Sequence, residues 1–227
     1  MIGSWGVGEL TNGGAVAQSD VSAVVRGVPM SGVQASYFFT ALWVTLRIAR
    51  EYGSGSINAA LCWTPWRLGV VLAKMTVAFL VPAASVVLGG LLAFAGALFG
   101  LSRYGLAGHL HDGSFAWAIG VSGLSVGLLS AAAGGISMLV RSTVGALLIF
   151  AGMIWIAPLA AATLSMIGAS WPEHVVRFFP GELLNSAVSM SAADNQIGQP
   201  GSVALLLGWA GVAAVAGGWR LCRTSMR

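Results

Sequence analysis

Residues 142–172 read STVGALLIFAGMIWIAPLAAATLSMIGASWP, 31 consecutive positions without an Asp, Glu, Lys or Arg. A helix rises about 1.5 Å per residue, so roughly 20 residues match a hydrocarbon core of about 30 Å. This run is long enough to cross a bilayer, and it is one of five. The others are 27–46, 75–102, 113–140 and 195–219, with 20, 28, 28 and 25 residues. Only 8% of the 227 residues are charged and the mean hydropathy is +0.85. A soluble domain carries about 25% charged residues, so this chain lacks a polar shell. The pattern predicts an all-α, polytopic membrane helix bundle.

The charges that remain follow membrane topology. With N-terminus outside, Arg47, Arg50, Arg67, Lys74, Arg141, Arg220, Arg223 and Arg227 fall on one side. Arg26, Arg103 and Arg177 fall on the other, with six of the seven acids: Glu9, Asp20, Asp112, Glu173, Glu182 and Asp194. The positive-inside rule then places the C-terminus in the cytoplasm and the N-terminus outside, with the plasma (cell inner) membrane as the expected location. The net charge of +4 does not indicate nucleic acid, because the basic residues are neither clustered nor interleaved with aromatics. Cys62 and Cys222 both fall on the expected cytoplasmic side, where thiols stay reduced and no disulfide framework is implied.

Along the chain, residues 1–29 read as a polar, Gly-rich extracytoplasmic segment and not as a signal peptide. Residues 30–227 form the transmembrane domain, with spans at about 30–50, 68–100, 115–140, 144–168 and 201–220. A cytoplasmic segment follows the first span, in which Ser56 can cap a short helix that stops before Pro65. Lys74 lies in the first turns of the second span, where its stem can snorkel to the headgroups. A tight turn is expected at Arg141-Ser142-Thr143. Beyond the fourth span, Trp171-Pro172 starts a short helix to Phe179, and Pro180-Gly181 separates it from a second piece, 182–192. Val175, Val176, Phe178 and Phe179 suggest a helical segment lying in the outer interface.

Several motifs carry packing information and little chemistry. Gly96-xxx-Gly100 and Gly123-xxx-Gly127 let helices approach closely in lipid. Pro82 and Pro158 fall mid-span and should kink their helices. No span has an ionisable residue near its centre, so any transport would draw its energy from outside the spans. His109, His111 and Asp112 could bind a metal, but loop residues of this kind are more often only solvated. There is no nucleophile elbow, no zinc-protease signature and no phosphate-binding loop; the one lysine, Lys74, follows no glycine-rich loop. An enzyme is therefore not expected, and neither a catalytic, a cofactor-binding nor a metal site is assigned.

One segment is more specific. Arg50-Glu51-Tyr52-Gly53-Ser54-Gly55-Ser56-Ile57, then Thr64-Pro65-Trp66-Arg67 and Ala73-Lys74, resembles the permeases of type-2 ABC transporters. Leu139 to Ala146 is similar to that family's turn between later spans, and Phe178-Phe179-Pro180-Gly181-Glu182-Leu183-Leu184 to its extracytoplasmic segment before the last span. The resemblance covers about residues 30–227, in order. Ser56 and Asn58 depart from it, standing where the family usually has Thr and Arg. The family also has six spans with both ends cytoplasmic, so five spans read as six minus the first. Residues 1–29 would then be the loop that follows it, in a shortened chain or one that begins at an internal Met.

The resemblance implies a membrane permease subunit, an exporter of a hydrophobic drug, peptide or lipid. It would work with a second permease chain, in a homodimer or heterodimer, and a separate ABC ATPase subunit. ATP and magnesium would sit on that partner, with no cofactor in this chain. Residues 51–66 would be the short coupling helix, with Glu51, Tyr52, Gly53, Ser54, Gly55, Ser56, Ile57, Pro65 and Arg67 as coupling residues. Glu51, the only acid on that side, would pair with the partner, with a neighbouring arginine or with Arg47 of its own helix. The alternative is a non-transporting membrane scaffold or immunity-type subunit. Membrane lipid is a partner in either case.

Overall fold

The computed structural model describes residues 31–53, 67–102, 114–167, 171–188 and 198–223. Among them all regular structure is helical. The elements are α1 (Ser31–Gly53), α2 (Arg67–Ser102), α3 (Ser114–Val140), α4 (Thr143–Ala151), α5 (Ala157–Met166), α6 (Trp171–Val176), α7 (Pro180–Val188) and α8 (Gln199–Arg223). A π-helical turn, Gly152–Ile156, joins α4 to α5 without a break. Among the described residues four stretches are long and apolar enough to cross a membrane: Gly69–Phe99, Ala116–Val140, Thr143–Met166 and Gln199–Arg220. They coincide with four of the five spans expected from charge-free runs. The fifth expected span corresponds to α1, a 23-residue helix that is less apolar than these four.

The bundle is organised around α3, which α1, α2, α7 and α8 all contact. Its sequence explains why. Gly, Ala and Ser recur along it, and without an apolar driving force between helices in lipid, association depends on close van der Waals approach. Gly123 and Gly127 face Val87, Phe79 and Ala83 of α2, so that glycine pair is an internal packing motif. Gly134 faces Val44 and Ile48 of α1 and Ala78 of α2. Gly135 meets the backbone of Ala213 in α8. The core that results runs through Ala41, Val86, Val126, Leu129, Phe150, Ile154 and Leu184. Outside it, Leu88, Leu92, Leu148, Leu159, Val212 and Val215 stay exposed, as expected of faces turned to hydrocarbon.

Local chemistry sets the breaks between elements. Between α3 and α4 lie only Arg141 and Ser142, at the turn expected from sequence. Arg141 takes a left-handed φ of 58°, and its N–H donates to the Ser137 carbonyl (3.0 Å), closing the end of α3. Ser142 then caps α4 by accepting from the Gly145 N–H at 3.3 Å. α2 continues through Pro82 as one helix. In the fourth span the π turn falls just before Pro158, and the Ala157 N–H reaches back to the Gly152 carbonyl. Pro158 has no N–H for the helix ladder, and the wider turn makes room for its ring.

The outer segment differs from the sequence reading. Val175 and Phe178 are exposed, as an interfacial segment requires. α7, however, begins at Pro180 and buries Leu183, Leu184 and Ala187 completely among α3, α8 and the π turn. The short helix is part of the core. Ser186 and Ser202 share a 2.7 Å hydrogen bond that ties α7 to α8, and the Trp209 indole donates to the Phe178 carbonyl at 2.9 Å.

Candidate functional site

The packing sorts the charged residues. Ile48 of α1, Val71 and Ala78 of α2 and Met138 of α3 form one cluster, so the end of α1, the start of α2 and the end of α3 lie together. The Arg220 guanidinium donates to the Leu139 carbonyl, and Arg141 donates to the Arg220 carbonyl at 3.5 Å, which brings the end of α8 to the same place. Arg47, Arg50, Lys74, Arg141 and Arg220 therefore share one end of the bundle. The opposite end carries the start of α1, α7 and the start of α8, where Trp117 donates to Gln199 at 3.3 Å. Tyr37 of α1 packs there against the core cluster that includes Leu184 of α7.

At the basic end the Lys74 ammonium forms an ion pair with the Glu51 carboxylate. The pair joins the last turn of α1 to the third turn of α2. It is partly sheltered, the side chains being 19% and 35% exposed, so it is screened less than a surface pair. One helical turn away, the Arg47 guanidinium sits 6.0 Å from the Trp43 ring centre, within cation–π range. A groove of about 450 Å³ opens between α1 and α2 beside these groups, lined by Trp43, Arg47, Glu51, Lys74, Val77 and Val81 among others. Chemically this is a place for ionic docking.

Glu51, Tyr52 and Gly53 close α1, and Arg67 opens α2. Ser54, Gly55, Ser56, Ile57 and Pro65 lie outside the described residues, as do residues 1–29, His109, His111 and Asp112. Residues 54–66 thus connect two helix ends that the Glu51–Lys74 pair holds together. The sequence pairs Glu51 with a partner chain or an arginine such as Arg47 and gives Lys74 a snorkelling role; in the structure the two pair with each other. Glu51 and Lys74 are the one acid and the one lysine expected on that side, which was the available signal.

Fold and charge placement define the class: a multi-pass helical membrane protein with one strongly basic end. No protein-family model matches the chain, and neither a curated protein nor a solved structure matches it.

Proposed function

We propose that this chain is the membrane-spanning permease subunit of an ATP-driven ABC transporter, an exporter of a hydrophobic drug, peptide or lipid. A separate ATPase would dock at residues 51–66. The observation that carries the reading is the clamped exit at the basic end. A docking segment transmits force only if both its ends are anchored in spans, and the Glu51–Lys74 pair ties α1 to α2 where residues 54–66 leave and re-enter. The absence of ionisable groups from the span centres in the sequence supports the same view, because work must then arrive through a contact outside the spans.

Two further features fit. α3 fills the middle of the described bundle, so a pathway would run between this chain and a second permease chain. α1 extends from Tyr37, packed against the cluster that holds Leu184 of α7, to Glu51 at the basic end, a path that suits a fifth crossing despite its lower apolarity. By the positive-inside rule the basic end faces the cytoplasm of the plasma membrane, where ATP is available.

The test is co-expression with an ABC ATPase and purification of the complex in detergent. Glu51→Lys, which sets two cations against each other, and Gly53→Pro, which breaks the end of α1, should each lower ATPase turnover several-fold. The unfolding temperature of the purified chain checks that the bundle persists. Unchanged ATPase binding and turnover in both variants would overturn the assignment and favour a non-transporting scaffold.

A further inference from the structure

The groove between α1 and α2 has the polarity profile of a phospholipid. Along α2, Lys74, Val77 and Val81 follow at three- and four-residue spacing and so share one face. From Lys74 to Val81 the helix descends about 10 Å from the basic end toward the bilayer interior. On α1, Arg47 stands above Trp43 in the same direction. The groove thus has a charged rim of Arg47, Glu51 and Lys74 and an apolar floor reaching Val81, within about 450 Å³. Val77 and Val81 are 54% and 42% exposed, so the floor is open to an acyl chain from the side.

The charges choose the headgroup. Glu51 and Lys74 neutralise each other, which leaves Arg47 as the excess charge on the rim, exposed and steadied over an indole. Arg50 lies outside this groove and lines the adjoining hollow of about 300 Å³. An arginine at this depth can meet a phosphate with paired N–H donors, and basic pockets between spans at a membrane surface select anionic lipids. We propose that this groove binds an anionic phospholipid, with its phosphate on Arg47 and an acyl chain along Val77 and Val81. The proposal rests on α2 crossing the membrane and is independent of the transporter reading, so either can fail alone.

The test uses the full chain in nanodiscs of equimolar phosphatidylcholine and phosphatidylglycerol, extracted gently into detergent and weighed intact by native mass spectrometry. The wild type should retain phosphatidylglycerol in preference to phosphatidylcholine. Arg47→Gln should reduce that retention about fivefold, the worth of one interfacial cation. Val77→Trp, which fills the floor, should also reduce it. Arg50→Gln, which removes the same charge from the neighbouring hollow, should leave it within twofold of wild type. Should Val77→Trp fail to fold, the two arginine variants decide alone. Equal retention of the two lipids by the wild type overturns the proposal. So does equal loss in Arg47→Gln and Arg50→Gln, which would indicate diffuse surface attraction, or no loss in Arg47→Gln.

Discussion

A methyl group built on Gly135 would lie 2.5 Å from the carbonyl carbon of Ala213 and 2.6 Å from its oxygen. Backbone atoms cannot rotate away, so α3 and α8 would have to separate. On the other side of the same crossing, a methyl on Gly217 would lie 2.7 Å from the Gly135 oxygen. Gly135→Ala should therefore cost about 1–3 kcal/mol, the usual range for overpacking. Gly120→Ala, where nothing lies within 4 Å, should be neutral or stabilising by about 0.5–1 kcal/mol through helix propensity. Thermal unfolding of the detergent-solubilised variants separates the two outcomes. The costs at Gly135 and Gly217 should be less than additive, because one methyl already parts the helices that the second would touch. Sequence alone marks all these glycines alike. A glycine's role depends on what stands opposite it, and that is decided by the partner helix. For the same reason Glu51 could be singled out from its isolation among cations, but its pairing with Lys74 depended on the offset between α1 and α2.

At the scale of elements, the charge-free runs located the long apolar helices within a few residues, because each must be apolar over the thickness of a bilayer. Shorter features lacked such a rule. α7 is nine residues long, and its Pro180-Gly181 start reads equally as a break or as a first helical turn. Its burial depends on the space left among α3, α8 and the π turn, which no local pattern encodes. The π turn itself was visible only as Pro158, whose effect could have been a simple kink. α7 and the turn before it should differ in their sensitivity to truncation. Leu184→Ala removes a side chain that is 1% exposed and leaves a cavity, at a cost of about 2–4 kcal/mol. Phe178→Ala removes a larger side chain that is 55% exposed, and it should cost less than about 1 kcal/mol. Unfolding midpoints in a single detergent provide the comparison; a reversed order would place α7 outside the core.

For the molecule as a whole, the decisive quantity is the number of crossings. Among the described residues four stretches meet the length and apolarity of a span, and they alternate in direction so that the start of α2 and the ends of α3 and α8 share the basic end. α1 determines whether the total is odd. Its 23 residues extend about 34 Å, enough to cross, and its buried positions Ala41, Val44 and Ile48 follow one face against the bundle. Arg47, Arg50 and Glu51 are confined to its last two turns, at the depth where charges reach the headgroups. A crossing α1 places its first residue, Ser31, opposite the basic end. With the basic end in the cytoplasm, an epitope tag at residue 1 should be accessible on intact cells. Cys62 and Cys222, the two cysteines of the chain, should both be protected there from a membrane-impermeant maleimide. Both should react once the membrane is opened, unless packing shields the thiol, which denaturing detergent tests. A protected tag together with protected cysteines would mean that α1 lies on the surface and four helices cross. Accessible cysteines on intact cells would instead invert the bundle, and the proposed docking segment would then face away from any cytoplasmic ATPase.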